Sequence, residues 1–555
     1  MKAVMSIKRS AKSSFAPAPK AAPRVGFVSL GCPKNLVDSE VMMGMLSAGG
    51  ASITSRAEDA DIIVVNTCSF IDTAKQESVD TILEMVRHKT EGRAKKLIVA
   101  GCLVERYRDE LQKNIPEIDA VIGTGELADI LAAAGIAPAT EPASPFNILK
   151  GLGDTNTGEH PHSSASQQLK SGIAQPSRPE GDAREKAGRF ARDGWDGATA
   201  ALPTYLYDEN TPRLLATAKH SAYIKIAEGC DHPCSFCIIP QFRGNFRSRR
   251  FESVINEATR MFAMGVREIN LIGQDTTCYG EDLGLKDGLA ELLARLAQIP
   301  TELPKWVRFL YAYPNKVTQK LLDTIAAHAA LVKYIDMPLQ HASGAVLKRM
   351  KRGANADIFL KLLERIRATI PDVAIRTSMI VGFPGETGAD FEELCQFVQA
   401  AQFDRLGVFS YSDEETSKSF ALDAKVDKRT IYQRKRKLMS LQRRISLARN
   451  KQLIGREFPV LVEGPSKETE LLWEARLATQ APEIDGICYI NDAEPGEPRP
   501  GEMRMLRVTE AHDYDLVGHL TNAPESDFQM AQRNANPFPI LGAHAGVRAH
   551  GIPAR

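Results

Sequence analysis

Six short apolar runs recur between residues 218 and 450: YIKIA, EINLIG, VRFLYAY, YIDMPL, IRTSMIVG and RLGVFSY. Each is followed by a stretch long enough to hold a helix. Runs of this length bounded by turn residues read as buried strands, and strands that alternate with helices wind into a parallel sheet. Six such units predict a β/α barrel, a fold that displays its chemistry on the loops at the carboxyl ends of its strands.

At 555 residues the chain exceeds one typical core, so further domains are expected. Between Arg24 and about Gly135 the runs VGFVSL, DIIVVN and KLIVAG alternate with helix-like segments, which predicts a parallel α/β domain over 24–140. Residues 141–217 turn to Pro, Ser, Gly, Gln and charge without a sustained period, and a disordered linker or insertion is expected there. The barrel with its connector helix takes 218–450. That helix is read in IYQRKRKLMSLQRRISLARN, which places Leu438, Leu441, Ile445 and Ala448 near one face. FPVLVEG, LLWEARLAT, GICYIN and MRMLRVTEA follow, separated by Gly and Pro, and predict a small antiparallel β-barrel over 451–522. The fold class is thus α/β multidomain. The first 24 residues carry Lys2, Lys8, Arg9, Lys12, Lys20 and Arg24 and no acid. That composition resembles a transit peptide, but a basic disordered leader over 1–23 is the plainer expectation, and 523–555 reads as a tail.

Nine cysteines are too sparse for a secreted disulfide scaffold, and no apolar run is long enough to span a bilayer. A reducing, cytoplasmic setting with no membrane partner is expected. The formal charge of +1 gives no global field directed toward nucleic acid.

Three of the cysteines, Cys230, Cys234 and Cys237, lie in EGCDHPCSFCIIP directly after the first barrel strand. Thiolates are the normal ligands of iron-sulfur clusters, and three of them leave one iron of a four-iron cubane open. A structural zinc would need a fourth ligand, for which His232 is at hand but strained by its place between the cysteines. Three more cysteines follow three strands: Cys32 after VGFVSLG, Cys68 after DIIVVNT and Cys102 after KLIVAG, spaced by 36 and 34 residues. Successive βαβ units bring their strand ends to one sheet edge, where ligands bind. A lone buried cysteine is more often a small core residue, and Cys278, Cys395 and Cys488 are read so. Three equivalent placements favour a second three-cysteine cluster.

CxxxCxxC after a first barrel strand, with Phe236 before the last cysteine, resembles the radical S-adenosylmethionine superfamily. The resemblance implies that the cosubstrate chelates the open iron of a 4Fe-4S cluster on Cys230, Cys234 and Cys237. Its reductive cleavage then yields a 5′-deoxyadenosyl radical that abstracts hydrogen. GQD at Gly273, Gln274 and Asp275, and MIVGFPGE with Gly382 and Glu386, close barrel strands and are expected to touch S-adenosylmethionine. The alternative for both is an ordinary strand-to-helix turn.

With GCPKN and NTCSF in its first domain and a TRAM-like barrel at its end, the whole arrangement resembles the methylthiotransferases. That implies two 4Fe-4S clusters, the second on Cys32, Cys68 and Cys102 and supplying sulfur, and a second S-adenosylmethionine as methyl donor. A low-potential electron donor and a sulfur donor are implied as partners. The family divides between enzymes that modify adenosine in transfer RNA and one that modifies the β-carbon of an aspartate in ribosomal protein uS12, free or in the small subunit. KIAEGCDHPCSFCIIPQFRGNFRSR and ATQAPEIDG look like the second branch. From Gly455 to Asn522 fourteen acidic residues face six basic ones, which suits a basic protein better than a phosphate backbone unless the acids are paired locally. Arg243, Arg247 and Arg249 are expected either to bind carboxylates of substrate or cosubstrate or to pair structurally. A noncatalytic iron-sulfur protein that binds RNA or carries electrons is the reading from another class.

Overall fold

The computed structural model describes residues 22–137, 202–469, 471–494 and 496–522. The expected leader, most of the expected linker and the tail lie outside these residues.

The first domain is a parallel sheet of β1 (Arg24–Ser29), β2 (Ser52–Thr54), β3 (Ile62–Thr67), β4 (Lys96–Gly101) and β5 (Ala120–Ile122), ordered β2-β1-β3-β4-β5. The three expected strands are its middle three. The edges, of three residues each, are too short to show a period. Helices cover both faces and leave two apolar cores, one around Ile63, Val65 and Leu97 and one around Phe27, Val64 and Ile98.

The second domain contains β6 (Ser221–Lys225), β7 (Ala227–Glu228), β8 (Arg247–Ser248), β9 (Glu268–Ile272), β10 (Trp306–Phe309), β11 (Tyr334–Asp336), β12 (Ala374–Val381) and β13 (Arg405–Ser410). The six expected strands are β6 and β9 to β13. They form two parallel ladders, β10-β9-β6 and β11-β12-β13, joined by the single bridge Val307–Leu331. Among the described residues no ladder closes β13 onto β6, so the barrel has an open side. Alternation divides each strand: Ala222, Ile224, Ile269, Leu271, Val307 and Phe309 pack against the helices, while Tyr223, Ile272, Trp306 and Tyr334 belong to a second cluster. That second cluster also holds Val37 and Val41 of the helix Pro33–Ala48 and Leu461, Ala481 and Met503 of the last domain, so one apolar core joins all three domains.

Two expectations are corrected here. Residues 202–217, assigned to a disordered linker, are packed between the first two domains: Tyr207 is buried, and Arg213 bonds Glu40 at 2.5 Å and Glu257 at 2.7 Å. The aromatic and apolar residues of LPTYLY and RLL are what hold this segment down, although they form no regular element. The connector helix, Lys428–Lys451, buries Ile431, Leu438, Gln442 and Ile445 but leaves Ala448 exposed.

The last domain is a closed barrel of β14 (Glu457–Pro465), β15 (Trp473–Leu477), β16 (Cys488–Asp492), β17 (Met503–Ala511) and β18 (Leu516–Leu520), ordered β14-β15-β16-β18-β17. It is antiparallel except where β16 and β18 run parallel. No strand was expected at β18, whose LVGHL is broken by glycine and histidine.

Candidate active site

Both sets of cysteines stand at carboxyl ends of strands. Cys32 is the N-cap of the helix Pro33–Ala48, Cys68 directly follows β3, and Cys102 opens the helix Cys102–Asn114 after β4. The three strands are neighbours in the sheet, so their loops meet. Asn35 Nδ2 ties the loops together by donating to the Leu30 carbonyl at 2.8 Å and the Thr67 carbonyl at 3.0 Å. Gly31 has φ +88°, and a Cβ there would lie 2.7 Å from Cys68 Cβ, so only glycine lets Cys68 sit against the Cys32 loop. Burial pushes the Cys68 thiol up to about 12, with Cys102 and Cys32 adding to it, which places the three sulfurs in one electrostatic neighbourhood.

The loop from Cys230 to Cys237 leaves β7 and is pinned by its backbone. Cys230 N–H donates to Gly244 at 3.2 Å, Cys237 N–H to Cys234 at 3.3 Å, and Ser235 N–H to Met350 at 3.1 Å. Burial raises Cys230 and Cys237 to about 12 each, with Cys234 adding to both. Arg352 donates to Cys234 Sγ at 3.4 Å and to the Pro338 carbonyl at 3.0 Å, with its guanidinium 4.5 Å over the Tyr313 ring. His232 stacks on the same ring at 3.8 Å and bonds Asp275 at 2.6 Å, so it is committed away from the cysteines.

A tetrahedral zinc 2.3 Å from each thiolate would hold two sulfurs about 3.8 Å apart. Among the described residues, only His232, Asp275 and Cys278 bring three ligand atoms within 4.8 Å of one another. The His232 group is held by hydrogen bonds, with Cys278 donating to Asp275 at 3.1 Å. All six cysteines of the triads are free thiols. Three sulfur ligands per site fit a cubane with one open iron.

Of the expected cosubstrate contacts, Gly273 and Gln274 stand where β9 ends. The Gly273 carbonyl accepts from Lys34 at 3.4 Å, and Gln274 donates to Glu228. Asp275 is buried and spent on His232, Thr277 and Cys278. Glu386 accepts the amides of Gly382 at 2.5 Å and Phe383 at 3.1 Å on one oxygen and a bond from Arg434 at 2.9 Å on the other. Gly382, at φ +81°, is needed because a Cβ would sit 2.2 Å from Ile431. Asp275, Gly382 and Glu386 thus shape the turns at the barrel mouth, where the expected cosubstrate contacts cluster.

Among the three arginines, Arg249 is buried against Glu257 at 2.5 Å, and Arg247 bonds carbonyls of Arg243 at 2.7 Å and Tyr205 at 2.9 Å. Both are structural. Arg243 reaches across the domain junction to Asp38 at 2.6 Å, Asn35 at 3.0 Å and Cys102 Sγ at 3.3 Å. Lys225 bonds Asp38 and, at 2.5 Å, Glu228. Lys225 and Arg243 overcome the burial of Glu228 and hold its carboxyl well below the usual range. This buried network ties the first triad to the strand that carries the second.

Sequence reasoning missed Lys34, Tyr311, Tyr313 and Arg352 as site residues. Lys34 lies within GCPKN, and the two tyrosines follow β10 at the barrel's reactive edge, so position alone was a usable signal for three of the four.

Comparison with known proteins agrees with the three-domain division. Residues 24–123 match the uncharacterized protein family UPF0004, 224–398 the radical SAM superfamily and 454–521 the TRAM domain. The ribosomal protein uS12 methylthiotransferase RimO of Koribacter versatilis is 69% identical over 90% of this chain and 96% of its own length. The protein of the same name from Solibacter usitatus is 62% identical over 94% of this chain and 98% of its own. Among solved structures, the radical S-adenosylmethionine methyltransferase TsrM from Kitasatospora setae aligns with 70% of this chain and 72% of its own, at a TM-score of 0.43 and 15% identity.

Proposed function

The chain belongs to the ribosomal protein uS12 methylthiotransferase family of radical S-adenosylmethionine enzymes, and from that premise we propose that it methylthiolates the β-carbon of an aspartate in uS12. The observation that carries the substrate reading is the 69% identity to a relative of that name across 96% of its length.

When bound, a 4Fe-4S cluster on Cys230, Cys234 and Cys237 with S-adenosylmethionine supplies a radical able to take hydrogen from unactivated carbon, and a second cluster on Cys32, Cys68 and Cys102 supplies sulfur. The remaining work belongs to the protein's own residues. Arg352 and Arg243 each place a guanidinium N–H on a ligand sulfur, Cys234 and Cys102, where it offsets the negative charge of a thiolate. Tyr313 is held between Arg352 and His232 and walls the mouth of the barrel against water. The Asp38, Lys225, Glu228 and Arg243 network fixes the first domain against the barrel, which supports a reading in which sulfur source and radical source act together.

The acidic surplus of the last barrel supports a basic protein substrate only in part. Glu463, Asp485 and Glu502 turn inward, pairing with Arg476, Tyr334 and Arg504. Asp492, Glu494, Glu497 and Glu510 are exposed and available to steer a basic partner. Among the described residues no helix is long and apolar enough to cross a membrane, and action in the cytoplasm, with an external electron donor and sulfur donor, is part of the reading.

Anaerobic reconstitution tests the two-cluster reading. Wild type is expected to hold iron and sulfide for two clusters and to release 5′-deoxyadenosine from S-adenosylmethionine under reduction. The Cys32→Ala variant should show one intact cluster by electron paramagnetic resonance, and Cys234→Ala should lose the cleavage. One cluster in the wild type, or cleavage unchanged in Cys234→Ala, would refute it.

A further inference from the structure

Lys34 is nine-tenths buried, yet among the described residues it makes no ion pair. The other cations at this junction are matched: Lys225 with Asp38 and Glu228, Arg213 with Glu40 and Glu257, Arg243 with Asp38, and Arg376 with Asp336. Lys34 has the Tyr311 side chain, its ring 3.5 Å from Nζ, and a long bond of 3.4 Å to the Gly273 carbonyl, while Glu228 and Cys32 act on its charge without forming an ion pair. An ammonium has three donors, and a buried one with no carboxylate at ion-pair distance has donors left for a group the chain does not itself supply.

Its position says where that something lies. Lys34 is two residues past Cys32, and its side chain reaches the ends of β9 and β10, the edge of the barrel that also carries the Cys230 loop. Arg352, the other buried cation at this edge without a carboxylate, spends its two terminal nitrogens on Cys234 Sγ and the Pro338 carbonyl.

We propose that Lys34 receives the side-chain carboxylate of the substrate aspartate and thereby selects an acidic residue for modification. The inference rests on the uS12 reading above. In aspartate the carboxylate is bonded directly to the β-carbon, so a cation that fixes the carboxylate beside the Cys32 loop also fixes the carbon that reacts. A neutral substrate group would leave the ammonium buried and unpaired, and such a site rejects the analogue that lacks the matching charge. Tyr311, held at φ +66° with its N–H donating to Asp336 at 3.0 Å, keeps the lysine from swinging away.

The test uses reconstituted full-length enzyme and a fluorescent peptide from the modified loop of uS12, with Asp or Asn at the target position. Anisotropy should show wild type binding the Asp peptide about tenfold or more tightly than the Asn peptide. Lys34→Met should abolish that ratio and Lys34→Arg should keep part of it, with iron content measured for each. Equal binding of the two peptides by wild type, which needs no variant, overturns the inference, as does an unchanged ratio in Lys34→Met. A wild type that puts a methylthio group on the Asp peptide yet binds both equally fails this inference alone. One that discriminates through Lys34 but modifies nothing supports carboxylate binding and fails the uS12 reading.

Discussion

Arg243 spans the site from one domain to the other, and its removal is felt on both sides. Arg243→Gln leaves Asp38 and Glu228 short of a cation and takes a donor from Cys102. A loss of about 3–5 kcal/mol is expected in urea unfolding, with iron retained at the first triad falling in parallel and recovering partly in Arg243→Lys. His341 gives a pH signature. Burial lowers its pKa from 6.5 to about 4, against the pull of Asp390 and alongside the push of Arg434, and Glu386 lies 3.8 Å away. The unfolded chain takes up the proton as pH falls through 6.5 while the folded one resists until near 4, so stability drains across that window and the drain stops below it. Between pH 7 and pH 5 the wild type should lose about 2 kcal/mol more than His341→Gln in urea unfolding. At this scale the placement of the six cysteines was legible, because Cys32, Cys68 and Cys102 each follow a strand at regular spacing and Cys230, Cys234 and Cys237 share the loop after the first barrel strand. Position could have singled out Lys34 and Tyr311 one by one, but not their meeting, which depends on a fold that joins residues 277 positions apart.

Turns at the strand ends decide how closely elements approach. Gly382 ends β12 under the helix Lys428–Lys451, and a methyl group there would be driven into Ile431. Gly382→Ala is expected to cost about 1–3 kcal/mol, whereas Gly388→Ala, with open space at the first position of its helix, should be neutral or stabilising by up to about 1 kcal/mol. Melting temperatures of the pair check both. Elements were legible where the period ran long enough: all six barrel strands and the connector helix were read. The edges β2 and β5 were too short, and β18 carries no alternation strong enough to announce it. The turn after Ala201 deceived composition, because Tyr207 and Arg213 sit in a polar stretch yet anchor it by side chains aimed at other domains.

The molecule holds its three domains as one body through charges as well as through the shared apolar core. Glu268 is fully buried between Arg308 at 3.0 Å and Arg476 at 2.6 Å, and Arg476 belongs to the last barrel. Glu414 binds Lys75 at 3.0 Å and Arg106 at 2.5 Å on the opposite border. Glu268→Gln leaves two buried guanidinium groups short of charge and should cost about 3–5 kcal/mol. Limited proteolysis should then release the C-terminal barrel earlier than in wild type. Domain identity could be read from the sequence, but domain arrangement could not, because local patterning carries no record of a pair separated by 208 residues. The arrangement carries the proposal that two thiol triads serve one reaction, and the product is its decisive report. Reconstituted enzyme should be given S-adenosylmethionine, a reductant, uS12 and transfer RNA together, and both macromolecules analysed by mass spectrometry. A methylthio mass is expected on uS12, with fragment ions placing it on an aspartate, and none on the RNA. Methylthioadenosine in the transfer RNA with uS12 unmodified would contradict it.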